Sequence, residues 1–364
     1  MKNFRNMAII LLVVFTTVIL ALGVYYKVNM AGTSNSDTKK IVNIEEGTIN
    51  DIAKTLKDNN LIKNVSIFKV YIKLTNKSNL KAGTYELSEN MGVEKIVKIL
   101  EEGTKYNPNE ISITFKEGIN IRKIATLISE NTNNSYDDVI KKASDETFID
   151  TLINKYWFLT EDIKNKNIYY SLEGYLFPDT YRFNNREVTT EEIFTKMLDE
   201  MDKKLAHLKK LSKYKDEINK SDLSVHEIIT LASVVELEGA KATDRKGVAG
   251  VFYNRLASSA YPTLGSDATT YYASKIDDWS YSLTYKELND CKNKYNTRCS
   301  SNTGLPVGPI CNPGIESIEA TINPDKHEYY YFVADCNGKV YLTKNSTEHN
   351  NIINKLKKED NWCA

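Results

Sequence analysis

Residues 224–239, SVHEIITLASVVELEG, carry a helix-start signal followed by apolar residues on nearly every side of a helix. Ser224 and Glu227 match the capping box S-x-x-E, in which two side chains satisfy backbone N–H groups of the first turn. A helix whose apolar residues cover most of its circumference is buried rather than exposed along one face. The segment therefore predicts a buried helix that stops near Gly239.

Two carboxylates, Glu236 and Glu238, lie at the C-terminal end of this predicted helix. The negative end of the helix dipole, burial and mutual repulsion all favour a raised pKa for a glutamate at this place. A carboxyl group that stays protonated near neutral pH can act as a general acid. Bulkier apolar neighbours favour Glu238 for that role, but neutralisation of the pair by Lys241 or Arg245 explains the same residues equally well.

Upstream of this helix, residues 171–183, SLEGYLFPDTYRF, place Glu173 and Tyr175 among aromatic side chains. Aromatic rings offer flat faces to sugar rings, and a carboxylate among them can accept hydrogen bonds from hydroxyl groups. Taken by itself, the composition favours an ordinary half-buried glutamate that caps a helix or pairs with Arg182.

Downstream of the helix, short polar motifs alternate with apolar segments. They are VFYNRL at 251–256, SDATT at 266–270 and YNT at 295–297. Residues 304–314, GLPVGPICNPG, predict a shaped loop, because 7 of the 11 residues are Gly, Pro or Asn. Such loops often line binding sites, although a plain surface turn has the same composition. Residues 329–335, YYYFVAD, then predict a buried strand.

The N-terminus contains an uncharged apolar run, residues 7–26. Twenty residues at about 1.5 Å each span the hydrocarbon core of a bilayer, so the run predicts a transmembrane helix. Lys2 and Arg5 precede it, which predicts a cytoplasmic tail at residues 1–6 and the remaining chain outside the membrane. A cleaved signal peptide is the weaker alternative, because the run is long and no clear cleavage site follows. Residues 27–40 are predicted to be a polar linker.

Residues 41–105 predict a small α+β module. The segments 42–56 and 113–127 resemble each other, each with alternating apolar residues, then Glu-Gly, then a helical pattern. Helices are predicted at 65–74 and 93–100, with a strand at 81–87 between them. This order and size resemble LysM-type glycan-binding modules, and a generic cap without a ligand fits about as well.

Length and composition limit the classes of function. The chain has 364 residues, with 48 basic and 48 acidic side chains, so its net charge is zero. This balance argues against nucleic acid as the main partner, since binding to phosphates needs an excess of Lys and Arg. The hydrophobic share of 41% and charged share of 26% are those of a globular protein.

The cysteines and histidines indicate disulfides rather than a metal site. Five cysteines lie in the last quarter of the chain without a CxxC spacing, and the four histidines are scattered. One or two disulfides with an odd cysteine left over are expected, and the spacing does not determine the pairing. Neither a metal nor a cofactor is expected. The cysteines are Cys291, Cys299, Cys311, Cys336 and Cys363.

In their order along the chain, the motifs quoted above resemble those of the endolytic murein transglycosylase family (MltG, or YceG-like). The resemblance covers nearly the whole chain. It implies an α+β fold with an N-terminal transmembrane helix, a small LysM-like module and a larger mixed α+β catalytic domain at residues 106–364.

The family's catalytic acid is the second glutamate of the motif L-A-S-x-V-E-x-E, which implies Glu238. The resemblance implies a lining role in the glycan cleft for Glu173 and a supporting position for Glu236. The chain departs from the family pattern at Gly265, Ala268 and Arg298, which alters the predicted cleft loops. The candidate substrate-binding residues are Glu173, Tyr175, Glu236, Asn254, Ser266, Asp267, Tyr295 and Asn296.

The resemblance implies a membrane-anchored lytic transglycosylase that cleaves the β-1,4 bond between N-acetylmuramic acid and N-acetylglucosamine within peptidoglycan glycan strands. The product carries a 1,6-anhydro end, and the implied role is to terminate nascent strands beside the synthases of the elongation machinery. Two alternatives remain open. One is a muramidase-type hydrolase with Glu173 or Asp267 as a second carboxylate, and the other is a non-catalytic, membrane-tethered glycan-binding protein.

Overall fold

The computed structural model of the chain describes residues 2–45, 47–104, 107–210, 223–239 and 241–363. The chain divides into two compact units, Met1–Asn109 and Glu110–Ala364. The described residues contain helices together with three separate two-stranded antiparallel sheets. The predicted mixed α+β class is therefore confirmed.

The first unit begins with a long helix, α1, Lys2–Met30. Within it, Ile10–Met30 is long and apolar enough to cross a membrane, and its apolar side chains are exposed. Both membrane anchors and signal sequences have such a helix near the N-terminus. The helix extends into residues 27–30, which were predicted to be linker, because the polar residues after the apolar run are compatible with helical backbone.

The remainder of the first unit is a two-stranded sheet covered by three helices. Its elements are β1 Lys40–Ile44, α2 Ile49–Asp58, α3 Val65–Thr75, β2 Gly83–Leu87 and α4 Val93–Glu102. The strands β1 and β2 pair antiparallel, with Val42 opposite Tyr85. A capping box between Thr48 and Asp51 starts α2. The predicted helices at 65–74 and 93–100 and the strand at 81–87 are confirmed, apart from one or two residues at their ends.

The second unit starts with helices around a short sheet. The strands β3 and β4 pair antiparallel, with Ile113 opposite Tyr181. Their apolar faces and those of the helices form one continuous core. The elements are β3 Ile111–Thr114, α5 Ile121–Asn131, α6 Tyr136–Lys142, α7 Glu146–Lys155, a 3₁₀ helix Glu161–Lys164, β4 Thr180–Phe183 and α8 Thr190–Lys210.

The second half of this unit is built around the helix α9, Val225–Glu238. Ser224 and Glu227 form the expected capping box, and the predicted buried helix is confirmed. One side of α9 gives Ile228 and Ile229 to the core described above, and the other side gives Val234 and Val235 to a second core. The helix is apolar all round because it separates two apolar cores.

The helices that follow α9 pack against it or against one another. The main contacts of α9 are with α10 and α13, and a small hairpin and a final helix complete the unit. The elements are α10 Arg245–Leu256, α11 Asp267–Ala273, α12 Tyr285–Leu288, α13 Ile315–Ile322, β5 Tyr331–Ala334, β6 Val340–Thr343 and α14 Ser346–Lys358.

The strand predicted at 329–335 is shorter and more exposed than expected. Within β5 only Val333 is fully buried. Among the described residues the strand pairs with β6 alone, and a two-stranded hairpin leaves part of its surface uncovered. An apolar run bounded by turn residues indicates a strand but does not show how many neighbours cover it.

Disulfides join Cys291 to Cys299 and Cys336 to Cys363, and Cys311 is a buried free thiol. Two bridges and one odd cysteine are as expected. The sequence left the pairing open, because it depends on which Cα atoms the fold brings within about 4.4–6.8 Å.

Candidate active site

A cavity of about 720 Å³ opens where the C-terminal end of α9 meets the N-terminal end of α11. We call it the Glu238 cavity. Its polar wall contains Glu238, Arg255, Ser266, Asp267 and Arg298. Aromatic and apolar side chains from the loop before α11, the β5 hairpin and the C-terminal segment complete the wall, among them Tyr261, Tyr331, Val333 and Trp362.

Glu238 is the last residue of α9 and is half-buried. Its Oε1 accepts a hydrogen bond from the Ser266 hydroxyl at 2.6 Å. Burial raises the pKa of Glu238, and the neighbouring Asp267 carboxylate raises it further. The Ser266 hydroxyl, the backbone N–H of Ala268 and the Arg298 guanidinium lower it, and the net pKa lies above its ordinary value. This carboxyl group is therefore biased towards its protonated form while facing an open cavity.

Ser266 and Asp267 are placed by the turn that leads into α11. The Ser266 N–H donates to the Thr297 hydroxyl at 3.2 Å, and the Gly265 N–H donates to the Thr297 carbonyl at 3.0 Å. Gly265 has φ 67°, a left-handed conformation that favours glycine. The departure to glycine at this position therefore suits the turn that presents Ser266 to Glu238.

Asp267 is paired with the arginine that the sequence marked as a departure. Arg298 Nη1 lies 2.6 Å from Asp267 Oδ1, and both side chains are about half exposed. The pair puts a cation and a carboxylate on the cavity wall beside Glu238. Because Arg298 already contacts Oδ1 of Asp267, this carboxylate is less available than Glu238 to a ligand in the cavity.

Glu236 does not reach the Glu238 cavity. Its Oε1 lies 2.8 Å from Arg245 Nη2, and its Oε2 accepts a hydrogen bond from the Gly314 N–H at 3.0 Å. Its side chain is 6% exposed. Arg245 thus pairs with Glu236, as one of the two readings of the sequence expected, and Glu236 also holds the 304–314 loop through Gly314. The carboxylate that repels Glu238 is Asp267 and not Glu236. Glu236 and Glu238 point in different directions, because residues two positions apart on a helix are rotated by about 200°.

Glu173 is completely buried and lies outside the described wall of the Glu238 cavity. Its carboxylate accepts hydrogen bonds from the Ile121 N–H at 3.1 Å, the Tyr272 hydroxyl at 2.9 Å and Asn312 Nδ2 at 3.1 Å. Burial raises the pKa of Glu173 to about 7, although the bonds from the Ile121 N–H and the Tyr272 hydroxyl lower it. We call these four residues the Glu173 cluster. It joins the start of α5, α11 and the 304–314 loop.

The remaining aromatic and amide candidates also point into the protein. The Tyr175 hydroxyl lies 2.7 Å from His226 Nδ1, and the Tyr295 hydroxyl accepts a hydrogen bond from the Tyr169 N–H. The Asn296 side chain donates to the carbonyls of Glu287 and Leu288. Tyr175, Tyr295 and Asn296 are completely buried and lie outside the described wall of the Glu238 cavity.

The Asn254 side chain also bonds to the protein's own backbone. Its Nδ2 donates to the carbonyls of His327 and Tyr329 at 2.8 and 2.9 Å. The next residue, Arg255, donates to the carbonyls of Leu264 and Tyr330 and also lines the Glu238 cavity. The N-R pair thus ties α10 to neighbouring segments, and Asn254 itself is not among the residues of the described wall.

The structure thus brings Glu238, Ser266 and Asp267 together in one cavity. Sequence reasoning missed most of the opposite wall, including Tyr331, Asp335, His349 and Trp362. Arg298 was visible as a departure from the family pattern, and both Tyr331 and Asp335 belong to the motif YYYFVAD. The other residues carried no signal, because neither their spacing nor their residue types indicated that the C-terminal segment returns to this place.

The described residues contain no group of three or more His, Cys, Asp or Glu side chains that could hold a metal ion. The other carboxylate in the wall, Asp335, is 8% exposed and accepts hydrogen bonds from the N–H groups of Asn337 and Lys339. Within the described wall, Glu238 is the carboxyl group that combines a raised pKa with access to the cavity. This arrangement suits a reaction in which one group serves as acid and then as base.

Comparison with known proteins places these features in a family. The sequence model of the YceG-like family matches residues 42–355. A Bacillus subtilis protein named endolytic murein transglycosylase is 38% identical over 324 residues, which are 88% of this chain and 86% of that protein. A Streptococcus pneumoniae protein of the same name is 36% identical over 332 residues, which cover 88% of this chain and 59% of that protein.

A solved structure agrees with these matches. The crystal structure of a putative YceG-like protein from Listeria monocytogenes is 39% identical, with a TM-score of 0.59. The match covers 87% of this chain and all of that one. The chain therefore belongs to the YceG-like family.

Proposed function

We propose that this chain is a peptidoglycan lytic transglycosylase that cleaves the β-1,4 bond from N-acetylmuramic acid to N-acetylglucosamine inside glycan strands. The observation that carries the proposal is the Glu238 cavity, where one accessible carboxyl group has a raised pKa. Relatives that share 36–38% identity over most of this chain are named endolytic murein transglycosylase, which supports the same activity here.

Glu238 performs both proton transfers of the proposed reaction. In the first, its carboxyl group protonates the glycosidic oxygen, and the bond from that oxygen to C1 of the muramic acid breaks. In the second, the Glu238 carboxylate accepts the proton of the muramic acid O6 hydroxyl as O6 bonds to C1. The products are a 1,6-anhydro end and a free N-acetylglucosamine hydroxyl, and no water is consumed.

Ser266 and Arg298 support these two roles in different ways. The 2.6 Å hydrogen bond from Ser266 fixes the orientation of the carboxyl group. Arg298 partly offsets the repulsion from Asp267, which limits the rise in the pKa of Glu238 and lets it return to the carboxylate form. An acid that must also act as a base works best with a pKa near the ambient pH.

A muramidase-type hydrolase is less well supported. Hydrolytic glycosidases use two carboxyl groups on either side of the bond, one of which activates water or attacks carbon. Glu173 is buried in its own cluster, and Asp267 is paired with Arg298. An internal O6 nucleophile removes the need for the second carboxylate, because the substrate itself holds it at high effective concentration.

The product distinguishes the two reactions. The full-length chain in detergent is incubated with purified peptidoglycan, and the soluble fragments are analysed by mass spectrometry. We expect anhydromuramic ends, which are one water lighter than hydrolysed ends. Ends that carry the added water would assign the hydrolase instead, and intact strands would support the non-catalytic binding protein.

We further propose that α1 is an uncleaved, single-pass membrane anchor with residues 1–6 in the cytoplasm and the catalytic domain, residues 106–364, outside the membrane. The exposed apolar surface of Ile10–Met30 and the preceding Lys2 and Arg5 support this orientation. Intact-mass analysis of the membrane-bound protein tests retention of α1. Digestion of the second unit by protease added to intact protoplasts tests the orientation, and protection would reverse it.

The module at residues 41–105 is proposed to be LysM-like and to bind glycan. Its order of strand, two helices and strand, with β1 antiparallel to β2, supports this proposal. The unit has its own apolar core, so the segment can be produced alone and its folding checked by circular dichroism. Sedimentation with insoluble peptidoglycan is expected, whereas a folded module that stays in solution would be a generic cap.

The strand-terminating role also implies proximity to synthases of the elongation machinery. Site-directed photo-crosslinking from exposed positions of the membrane-bound chain, followed by mass spectrometry of the adducts, tests that partnership. Adducts with synthases are expected, and their absence under conditions that capture other neighbours would contradict the proposal.

A further inference from the structure

A second cavity of about 260 Å³ lies beside the Glu238 cavity and has no part in the reaction described above. Leu237 and Ala268 line the second cavity, while their chain neighbours Glu238 and Asp267 line the Glu238 cavity. The ends of α9 and α11, joined by the hydrogen bond from Ser266 to Glu238, therefore form a ridge that both cavities flank. A linear polymer that crosses this ridge at Glu238 has space on both sides.

Two aromatic rings give the second cavity an apolar surface. The ring centroids of Tyr271 and Trp279 are 4.9 Å apart, and both side chains line the cavity. The Trp279 side chain is exposed, with 57% of the residue accessible. An exposed indole held against another ring provides a large, rigid and partly polar contact surface of the kind found at binding sites. The C–H face of a pyranose ring fits such a surface.

The opposite rim is polar and carries the charged side chains of Arg122, Lys123 and Asp277. Asp277 accepts hydrogen bonds from Arg122 Nη2 at 2.6 Å and from Asn120 Nδ2 at 2.7 Å, and its side chain is 51% exposed. Although burial raises the pKa of Asp277, the bonds from Arg122 and Asn120 lower it below its ordinary value overall. Asp277 thus remains an acceptor for hydroxyl groups. A few convergent polar groups beside an aromatic wall are typical of small-molecule binding sites.

We propose that the second cavity is a sugar-binding subsite that holds an N-acetylhexosamine ring of the strand, on the side of Glu238 away from the Glu238 cavity. Trp279 and Tyr271 contact the face of the ring, and Asp277 accepts from its hydroxyls. This inference rests on the proposed function and adds the requirement that the strand occupies both sides of the ridge. Occupation of both sides of the ridge is compatible with cleavage inside a strand.

The three tryptophans of the chain provide a direct test of binding. Trp279 lines the second cavity, Trp362 lines the Glu238 cavity and Trp157 lines neither. Full-length variants in detergent keep one indole each, with the other two replaced by Phe. The probe is the β-1,4-linked tetramer of N-acetylglucosamine, which lacks muramic acid and is not a substrate for anhydro-ring formation. The tetramer is expected to reduce acrylamide quenching of Trp279 at least twofold and to leave quenching of Trp157 unchanged.

Turnover of peptide-free glycan strands provides the second measurement. We expect Trp279→Ala to raise KM about tenfold with kcat within about twofold, as for loss of an aromatic anchor. Trp279→Phe, which keeps a ring, is expected to recover most of the affinity. Tyr285→Ala is the matched control, because Tyr285 is 83% exposed and lines neither cavity.

The outcomes separate the subsite from the reaction. Anhydro products from every variant, with Trp279→Ala and Tyr285→Ala indistinguishable in KM and no protection of Trp279, would overturn the subsite and leave the function intact. Protection of Trp279 by the tetramer in a chain that forms no anhydro ends would keep the subsite and overturn the function. A change in thermal stability of Trp279→Ala larger than that of Tyr285→Ala, with no change in KM, would reduce Trp279 to a structural role.

Discussion

The Glu238 cavity and the Glu173 cluster each contain a glutamate whose pKa is raised by burial, but their surroundings differ. Glu238 has one side-chain hydrogen-bond partner, Ser266, and faces open space. Glu173 is bonded by Ile121, Tyr272 and Asn312 and is closed off from solvent. A shifted pKa therefore does not identify a catalytic acid without access. The first glutamate is placed to exchange protons with a ligand, and the second holds three segments together.

The largest expected effect is on the chemical step. Glu238→Gln is expected to lower kcat about a thousandfold, since a positioned acid contributes about 10²–10⁴ in rate, and to leave the melting temperature nearly unchanged. Glu359→Gln, at an exposed glutamate, is the control and should keep full activity. Anhydro-product formation is measured under single-turnover conditions.

The opposite result for these two glutamates would contradict the assignment of Glu238 as the acid. If Glu238→Gln were fully active while a folded Glu173→Gln chain lost the chemical step, the roles of the two glutamates would be exchanged. The buried cluster would then have to open during the reaction.

The next largest effect is on the way the stability of the folded chain depends on pH, through the Glu173 cluster. The pKa of Glu173 is about 7 in the folded chain and near its ordinary value of 4.5 in the unfolded chain. The folded state therefore binds more protons between these values, so Glu173 makes the chain less stable as pH rises from about 4.5 to 7. The free energy of unfolding falls by about 3 kcal/mol at most over this range of pH.

Glu173→Gln removes this titration, so the variant should show a flatter dependence on pH than the wild type. Tryptophan fluorescence during denaturation with urea reports on the second unit, because all three tryptophans lie there. Parallel pH profiles for the two chains would mean that Glu173 does not titrate in this range.

A smaller effect is expected for the residue that orients Glu238. Ser266→Ala removes the 2.6 Å hydrogen bond and is expected to lower kcat about tenfold, because the carboxyl group loses its fixed direction. Ser346→Ala, at the exposed start of α14, is the control. A shift in KM alone would indicate that Ser266 binds the sugar instead of orienting the acid.

The smallest expected effect is a shift in the pH profile. Arg298→Gln removes a cation that lowers the pKa of Glu238 and leaves the repulsive Asp267 carboxylate without its partner. Because the reaction needs the protonated acid, activity falls as pH rises through this pKa. A higher pKa therefore moves the descending limb of kcat/KM to higher pH, by about one unit or less.

Arg182→Gln is the matched control for that shift, since Arg182 is an exposed arginine whose partner is Glu110. An unchanged descending limb in Arg298→Gln, or a shift towards lower pH, would show that Arg298 does not act on Glu238.

Several elements followed from local patterns. The capping box and the all-round apolar residues of 224–239 predicted a buried helix, and α9 is that helix with its two cores. The apolar run at 7–26 predicted an N-terminal helix, and the mixed α+β class followed from the alternation of patterns. These features depend on residues within a few turns of one another, where periodicity and caps act directly.

The site was harder to predict, because similar residue types ended in opposite environments. Four of the residues expected to face the substrate are buried and bond to backbone groups or to other buried side chains. They are Glu173, Tyr175, Tyr295 and Asn296. A motif of polar and aromatic residues looks the same whether it lines a cleft or supports one. Their contacts join segments up to 139 residues apart, and no local pattern records such distances.

By itself, then, the sequence determined the central helix, the apolar N-terminal helix and the identity of Glu238 as a candidate acid at a helix end. Only the tertiary structure decided which glutamate remains accessible, which carboxylate Arg245 and Arg298 neutralise, and that Trp362 and Trp279 lie on different sides of one ridge. The physical reason is that helices arise from interactions three or four residues apart, whereas solvent access and pKa depend on every segment that packs around a group.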